Sequence, residues 1–182
     1  MQHEERVLWT KIPAHVTPAT TMVDQQFWHY FKAGDRLLEV GCGWGRILKE
    51  CLQKGFRVTG IDINKNEIKA LQKEIKNSQL HNFVHVRYGN ILTINFKNQT
   101  FNGVLLQGIL SALEKKDRAT CLRRVNRFLI NGGYIHIAEF TLDTSSAASK
   151  KRYKNDFKIT GEFGTLSVID AVGTEIYRSH NF

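Results

Sequence analysis

The chain has 182 residues, 42% of them hydrophobic, and a formal net charge of +9. This length and apolar content predict one domain with a full hydrophobic core. No apolar run is long enough to cross a bilayer, and the polar N-terminus lacks the apolar stretch of a secretory signal, so we expect a cytoplasmic protein without a membrane partner. Three cysteines, an odd number without metal-ligand spacing, predict reduced thiols and no metal site.

The positive charge is dispersed rather than concentrated. Lysines repeat over residues 65–76 and arginines over residues 118–127, and only Lys150-Lys151-Arg152, with Lys154, forms a compact patch. No aromatic or glycine-rich RNA-binding module accompanies this charge. We therefore interpret it mainly as solvated helix faces, and nucleic acid stays an alternative partner that the pattern does not favour.

Short β-rich runs alternate with longer helical patterns between residues 35 and 140, which predicts a parallel sheet covered on both faces. The predicted strands are residues 36–40, 57–61, 83–88, a run around 104–106, and 134–138. The predicted helices are residues 46–54, 64–77 with Asn64 as N-cap, and 116–129. The first is ended by Gly55 and the last by Asn131-Gly132-Gly133. In the last helix we expect Leu122, Val125 and Leu129 to point inward.

Two terminal segments lie outside this alternation. Residues 1–33 carry an aromatic cluster and are predicted to cover the mouth of the sheet, where the aromatic side chains either line an acceptor pocket or staple a helix to the sheet. Residues 141–182 begin with a Thr/Ser/Ala stretch and end in a predicted β-hairpin, residues 165–169 and 175–178. The expected organisation is one domain, with the core at residues 34–140.

The first predicted strand leads into a glycine-rich turn that opens a helix, where a doubly wound sheet binds nucleotides. The turn reads Gly41-Cys42-Gly43-Trp44-Gly45, and its glycines allow a ligand to approach the backbone closely. A dinucleotide fingerprint needs its third glycine at position 46, where this chain has Arg46, whose bulk conflicts with the helix packing expected there. The turn therefore departs from the nicotinamide pattern.

Polar residues follow the next two strands. Asp62 lies 21 positions after Gly41, where a carboxylate accepts hydrogen bonds from both ribose hydroxyls of an adenosine; its alternative role is to cap the following helix. Asn90 follows the third strand, where its amide either faces an adenine edge or serves as an ordinary turn residue.

In this order the motifs resemble those of class I S-adenosylmethionine-dependent methyltransferases. The resemblance covers roughly residues 35–140, and its segments read LEVGCGWG at 38–45, GID at 60–62, GN at 89–90, FNGV at 101–104 and LINGG at 129–133. It implies a doubly wound, mostly parallel Rossmann-like α/β sheet in the order 3-2-1-4-5. It also implies S-adenosyl-L-methionine as cofactor, with S-adenosyl-L-homocysteine as product.

The resemblance further implies where the cofactor binds. The glycine turn would hold its methionine part, Asp62 its ribose and Asn90 with Ile91 its adenine, while Gln107 would lie beneath the sulfonium. The full implied set of cofactor-binding residues is Glu39, Gly41, Cys42, Gly43, Gly45, Asp62, Ile63, Asn90, Ile91 and Gln107.

Three features depart from the family pattern. Asn90 and Asn102 stand where the family usually or often has Asp, although an amide still accepts a hydrogen bond from the adenine amino group. Only about 42 residues follow the fifth strand, where the family has a further helix and two strands. We expect either a C-terminally shortened chain or a hairpin that substitutes for the missing strands.

A sulfonium cofactor carries an activated methyl group, so the protein mainly has to align an acceptor with it. Residues 107–110 lack the Asn/Asp-Pro-Pro-aromatic signature of methylation at planar amino groups, and Cys42 lies in the cofactor turn rather than where a pyrimidine C5 methyltransferase needs its thiol. These absences leave transfer to O, N or S of a small molecule, the favoured acceptor, or of a protein.

A general base would assist a hydroxyl acceptor, and the candidate catalytic residues are Glu139, His15 and His29. Each has an ordinary alternative, since Glu139 also suits a cap or a lysine pair and the histidines suit the surface. The rival functions are an RNA methyltransferase that uses the basic surface and a non-catalytic cofactor-binding or scaffold module. Arg46 makes a nicotinamide oxidoreductase the less favoured function. The sequence does not indicate an oligomeric state.

Overall fold

The computed structural model describes residues 22–169 and 171–182, apart from the side chain of Gln79. Most of the predicted N-terminal cover, including Trp9 and the candidate base His15, therefore lies outside the described residues. No helix within the described ranges is both long and apolar enough to span a bilayer.

A five-stranded parallel sheet forms the centre of the fold. Its strands are β1 (Arg36–Val40), β2 (Arg57–Asp62), β3 (Val84–Tyr88), β4 (Phe101–Gln107) and β5 (Leu129–Ala138). They lie side by side in the order β3-β2-β1-β4-β5, and every neighbouring pair is parallel. The order reverses between β1 and β4, so the sheet has the switch point at which doubly wound folds bind ligands, and the predicted fold class is confirmed.

Five helices accompany the sheet in the described residues. They are α1 (Gln25–Trp28), α2 (Arg46–Gln53), α3 (Lys65–Lys76), α4 (Lys115–Phe128) and α5 (Ala147–Thr160), with a short 3-10 turn at Gln79–Asn82. The prediction located α2, α3 and α4 to within about two residues at each end, and it missed α5. Asn64 caps α3 as predicted, because its side chain accepts hydrogen bonds from the backbone N–H groups of Asn66 (3.1 Å) and Glu67 (3.2 Å).

The start of β5 differs from the prediction. The helix α4 ends at Phe128 and the chain turns extended at Leu129, so the strand begins five residues before Tyr134. The pairing then shifts register between Phe101 and Gly103 of β4. Gly133 lies within this irregularity, where a Cβ would come 2.9 Å from the carbonyl oxygen of Asn102. The Asn131-Gly132-Gly133 segment is therefore part of a bulged strand rather than a helix stop.

Alternating residues of the strands build one apolar cluster on each face of the sheet. The first cluster includes Leu37, Val58 and Leu105 beneath α2 and α3, and the second includes Leu38, Val104 and Leu106 beneath α4. On α4 the buried residues are Cys121, Val125 and Phe128. The prediction that Leu122 points inward is wrong, since 37% of it is exposed, and the inward stripe runs through Cys121 instead.

The described part of the N-terminal segment packs on the face of the sheet that carries α2. The ring of Phe27 lies edge-on to Phe31 at 4.9 Å and to His136 of β5 at 5.2 Å. The indole of Trp28 donates a hydrogen bond to Glu50 of α2 (3.0 Å). Of the two alternatives for these aromatic residues, the structure shows a staple that holds the segment to the sheet.

The tail forms a separate layer. Its hairpin joins β6 (Thr165–Ile169) to β7 (Glu175–His180) as an antiparallel pair that is not part of the central sheet. The predicted hairpin is confirmed, and α5 packs against it. The backbone N–H of His180 donates to the carbonyl of Ser111 (2.9 Å), so the hairpin flanks the loop that follows β4.

Candidate cofactor-binding site

The glycine turn after β1 has the backbone shape that the sequence suggested. Gly41, Gly43 and Gly45 have φ angles of 75°, 48° and 86°, a left-handed conformation that residues with a Cβ adopt only at a cost. The N–H groups of Gly41 and Cys42 both donate to the carbonyl of Ile61 (2.8 and 3.0 Å). The turn is thereby held at the carboxyl ends of β1 and β2.

Close helix packing at this turn occurs at Gly45. A Cβ there would lie 2.9 Å from a methyl group of Leu71 on α3, so α2 and α3 approach each other through this glycine. Arg46 points elsewhere, and its guanidinium donates to the side-chain oxygen of Gln107 (3.1 Å). The close approach that a dinucleotide fingerprint makes at position 46 is therefore made by Gly45 in this turn, in agreement with its departure from the nicotinamide pattern.

Asp62 ties the end of β2 to the glycine turn. One carboxylate oxygen accepts from the N–H of Gly43 (2.9 Å), and the other accepts from the N–H of Asn64 (2.7 Å). Burial raises the pKa of this carboxyl, although both backbone donors act in the opposite direction. The cap of α3 is Asn64 and not Asp62. Each oxygen of Asp62 keeps lone-pair capacity for a ligand hydroxyl.

Glu39 is a buried carboxylate beside the turn, with 4% of its surface exposed. Its Oε2 atom has no hydrogen-bond partner. Burial raises the pKa of Glu39 well above the ordinary value of 4.5, while the guanidinium of Arg46 lowers it. A buried carboxylate oxygen without a donor is costly for the fold, which is why such groups commonly mark ligand sites.

Gln107, the last residue of β4, supplies a second buried atom without a partner. Its Oε1 accepts from Arg46, whereas its Nε2 donor has none. Glu39 pairs with Leu105 in the sheet register, so the alternation of strand residues places the side chains of Glu39 and Gln107 on the same face. A free acceptor and a free donor thus lie near the glycine turn. They fit the ammonium and carboxylate groups of an amino acid, as the methionine part of S-adenosylmethionine requires.

The residues predicted for the adenine follow β3, beside Asp62. The N–H of Gly89 donates to the carbonyl of Asp62 (2.9 Å). The side-chain oxygen of Asn90 accepts from the N–H of Leu92 (2.8 Å), so Asn90 acts as a turn residue in this structure. Ile91 is 5% exposed and belongs to the apolar core, and Ile63 is half-buried. Ile91 therefore offers a ligand its backbone rather than its side chain.

The cysteine of the turn contributes packing. The thiol of Cys42 is buried, and its sulfur would lie 2.8 Å from a Cβ built on Gly60. Burial raises the pKa of this thiol, so it stays protonated and unreactive. Any ligand contact of Cys42 is therefore expected through its backbone. Cys51 and Cys121 are buried as well.

Glu139, one of the candidate bases, accepts hydrogen bonds from the loop that follows β4. Its carboxylate accepts from the N–H groups of Leu110 (2.8 Å) and Ser111 (3.0 Å) and also from the hydroxyl of Ser111. These three bonds give Glu139 the capping role that was its alternative. The candidate base His29 is exposed just after α1, on the segment stapled to the sheet face.

The contact made by Ile109 was not predicted from the sequence. Its side chain reaches Gly41, where a Cβ would lie 2.3 Å from the terminal methyl group of Ile109. The loop that Glu139 holds therefore closes directly on the glycine turn. A local pattern does not reveal such a contact, because it depends on how β1 and β4 pair.

Comparison with known proteins supports this interpretation. The family model described as a methyltransferase domain matches residues 38–137, more than half of the chain. An O-methyltransferase of Aspergillus sclerotiorum is 30% identical over 112 residues, which are 61% of this chain and 42% of that protein. The 27-O-demethylrifamycin SV methyltransferase of Amycolatopsis mediterranei is 25% identical over 150 residues, 82% of this chain and 53% of that protein.

A solved structure agrees with the same fold over most of its length. The S-adenosylmethionine-dependent methyltransferase of Methanosarcina mazei superimposes with a TM-score of 0.82 and 28% identity, covering 89% of this chain and 79% of that one. The chain spans only 36–48% of the length of the first curated relatives that it matches. The sheet order, the glycine turn and the family match together show that the chain belongs to the class I S-adenosylmethionine-dependent methyltransferase family.

Proposed function

We propose that the protein transfers the methyl group of S-adenosyl-L-methionine to O, N or S of a small molecule and releases S-adenosyl-L-homocysteine. The observation that carries the proposal is the pair of buried atoms without partners, Glu39 Oε2 and Gln107 Nε2, beside a glycine turn that Asp62 holds in place. Two relatives support a small-molecule acceptor, since they are an O-methyltransferase and a rifamycin methyltransferase by name.

Each residue of the site has a definite task in this proposal. Glu39 accepts from the ammonium group of the cofactor, and Gln107, oriented by Arg46, donates to its carboxylate. Asp62 keeps the turn in shape through Gly43 and accepts from the ribose hydroxyls with its remaining lone pairs. The backbone at Asn90 and Ile91 borders the adenine. The bound cofactor supplies a methyl group on a positively charged sulfur, which is already activated for transfer.

The loop of residues 108–111 shapes the acceptor side of the site. Glu139 fixes this loop through Leu110 and Ser111, and Ile109 packs on Gly41. The apolar side chain excludes water next to the cofactor, and the fixed loop presents one face to an incoming acceptor. Because Glu139 is engaged in three hydrogen bonds, we assign it the positioning of this loop rather than proton removal.

Calorimetric titration tests the cofactor assignment. The protein should bind S-adenosylmethionine and S-adenosylhomocysteine but not NAD. Asp62→Ala should weaken binding at least tenfold, since each hydrogen bond to a charged group contributes about 1.5–3 kcal/mol. Asp35→Ala is the matched control, because Asp35 also accepts one backbone N–H (from Lys32, 3.0 Å) but precedes β1 at the opposite edge of the sheet. Equal affinity in the Asp62 and Asp35 variants would refute the assignment.

Transfer of a labelled methyl group tests the acceptor class. The protein is incubated with S-adenosylmethionine labelled in its methyl group and with separated small-molecule, protein and RNA fractions of a cell extract. Label should enter the small-molecule fraction, and the Asp62→Ala variant should lose this incorporation. Incorporation into RNA alone would replace the proposal with an RNA methyltransferase.

A further inference from the structure

The loop that follows β4 is held through its backbone by three other parts of the fold. Glu139, just after β5, accepts from the N–H groups of Leu110 and Ser111. The carbonyl of Leu110 accepts from Nε of Arg118 on α4 (3.1 Å), and the carbonyl of Ser111 accepts from the N–H of His180 in β7 (2.9 Å). Both backbone polar groups of two consecutive residues are therefore bound from outside the loop, and these partners set its position.

Arg118 connects this loop to the tail. Its Nε atom donates to the carbonyls of Leu110 and Leu113 (3.1 Å each), and its Nη1 atom donates to the carboxylate of Glu162 (2.9 Å). Only 13% of the Arg118 side chain and 27% of the Glu162 side chain are exposed, so solvent weakens this ion pair less than a surface pair. The planar guanidinium holds its donors in fixed directions, so it orients the loop relative to the carboxylate.

A second set of contacts joins the same loop to the tail. The other carboxylate oxygen of Glu162 lies 3.2 Å from Nδ1 of His180, and this nitrogen also contacts the hydroxyl of Thr165 (2.7 Å). Because the backbone of His180 binds Ser111, the contacts run from the loop through Arg118, Glu162 and His180 back to the loop. Glu162 and His180 both belong to the tail, which therefore supplies half of this closed network.

The loop borders the candidate site directly. It begins after Gln107, the residue that we assign to the carboxylate of the cofactor, and its Ile109 reaches Gly41 of the glycine turn. Methyl transfer from a sulfonium depends on alignment of the acceptor with the cofactor. A misplacement of about 1 Å can lower the rate of such a transfer about a hundredfold. The residues that fix this loop therefore influence the reaction without touching the reacting atoms.

We propose that Arg118 is a positioning residue for methyl transfer, through which the tail sets the place of the 108–111 loop beside the glycine turn. This inference rests on the proposed function, since it assigns the loop to the acceptor side of the site. Arg118 acts through the carbonyls of Leu110 and Leu113 and contacts neither the cofactor nor the acceptor. The tail thus contributes to transfer without supplying any of the assigned cofactor residues.

Hydrogen exchange of the loop amides in the full chain tests this role without a known acceptor. The N–H groups of Leu110 and Ser111 are bonded to Glu139 while the loop is in place, so their exchange rates report its position. Glu162→Gln should speed this exchange by about tenfold or more, because Arg118 loses the charged partner that orients it. NMR spectroscopy of the protein with S-adenosylmethionine measures the individual amides.

The matched control is Glu175→Gln. Glu175 is a carboxylate of the same tail that also pairs with an arginine, Arg178 (2.6 Å), and its side chain is 29% exposed, close to the value for Glu162. Its hydrogen-bond partners Arg178 and Ser167 both belong to the hairpin, so the control should leave the loop amides almost unchanged. Equal acceleration in the two variants would overturn the proposal, since general loosening of the hairpin would then move the loop.

Arg118→Lys separates the position of the loop from the stability of the fold. Lysine keeps a positive charge beside Glu162, but its compact ammonium group lacks the planar fork that spans the loop carbonyls and the carboxylate. The melting temperature of this variant should stay close to that of the unchanged protein, while the amides of Leu110 and Ser111 exchange faster. Unchanged exchange in Arg118→Lys would overturn the role of the guanidinium.

The labelled-methyl assay with the small-molecule fraction links the loop to the reaction. Glu162→Gln and Arg118→Lys should lower the rate of transfer about tenfold or more, while calorimetry should give an affinity for S-adenosylmethionine close to that of the unchanged protein. Glu175→Gln should keep both quantities. A normal transfer rate in Arg118→Lys, with the loop amides exchanging fast, would overturn the proposal. If the unchanged protein binds no S-adenosylmethionine, the proposed function fails instead, and the exchange rates still decide whether Arg118 holds the loop.

Discussion

Replacing Glu39 with Gln should make the protein more stable and a poorer cofactor binder at the same time. Glu39 is buried, its Oε2 atom has no donor, and burial raises its pKa well above 4.5. Ionising this carboxyl is therefore costlier in the folded protein than in the unfolded chain, where water solvates the charge. A neutral amide of the same shape removes this cost and also removes the negative charge that we assign to the cofactor's ammonium group.

The two effects have sizes that an experiment separates easily. Stabilising replacements at strained functional sites typically give about 0.5–2 kcal/mol, which for a domain of this size raises the melting temperature by about 1–8 °C. Loss of one hydrogen bond between charged groups costs about 1.5–3 kcal/mol, so cofactor affinity should fall by about 10- to 150-fold. The replacement should therefore raise the free energy of unfolding and lower the affinity for the cofactor. This combination is expected if Glu39 destabilises the protein in the absence of the cofactor and binds the cofactor when it is present.

The pH dependence gives the sign of the effect. A carboxyl whose pKa is raised in the folded state lowers the free energy of unfolding at pH values above that pKa. This loss of stability becomes smaller as the pH falls through the folded-state pKa, and it disappears below the pKa of the unfolded chain. The stability advantage of Glu39→Gln should therefore be larger at neutral pH than at acidic pH and should fade on acidification. Thermal unfolding across this range, with calorimetric titration of the cofactor, measures both quantities. A variant less stable than the unchanged protein at pH 7, or one with unaltered affinity, refutes the role of Glu39.

Two further predictions concern the turn and the tail. Gly43→Val should abolish cofactor binding in a folded protein, because φ of 48° and the bond to Asp62 leave a β-branched residue no relaxed conformation; normal binding by calorimetry would place the ligand elsewhere. Glu162→Gln should lower stability by about 1–3 kcal/mol, since it leaves the largely buried guanidinium of Arg118 without its charged partner. Thermal unfolding checks this, and an unchanged melting temperature would mean that the tail is not anchored through Arg118.

The strands and helices that were predicted from the sequence are those with a distinctive local pattern of residues. Buried parallel strands such as Val104-Leu105-Leu106 appear as continuous apolar runs, and Asn64 marks the start of α3 by its capping chemistry. The helix α5 escaped prediction because Tyr153 is its only buried side chain and polar bonds hold it to the hairpin. Such a helix has no apolar stripe for a periodicity argument to detect.

The candidate site was predictable in position and only partly in detail. Glycine spacing located the turn, since a positive φ demands glycine at particular residues. The bonds from Gly43 to Asp62 and from Ser111 to Glu139 join residues 19 and 28 positions apart. These hydrogen bonds form only when the strands have paired in register, so they cannot be predicted from a local sequence pattern. The placement of the cofactor residues stays a prediction for the titrations to decide.

Arg46 shows how this turn differs from a dinucleotide fingerprint. The close approach of α2 to α3 is made by Gly45, one residue earlier than the fingerprint places it, and position 46 is free to carry a side chain toward Gln107. The guanidinium lowers the pKa of Glu39 and orients the amide of Gln107, so it supports both atoms that we assign to the methionine part of the cofactor.

Arg46→Gly recreates the fingerprint spacing but removes this support. We expect the variant to lose affinity for S-adenosylmethionine by roughly tenfold or more without gaining NAD binding, since one charge-assisted bond is worth about 1.5–3 kcal/mol. Titration with both ligands measures this, and a gain of NAD binding would show that Arg46 acts by steric exclusion after all.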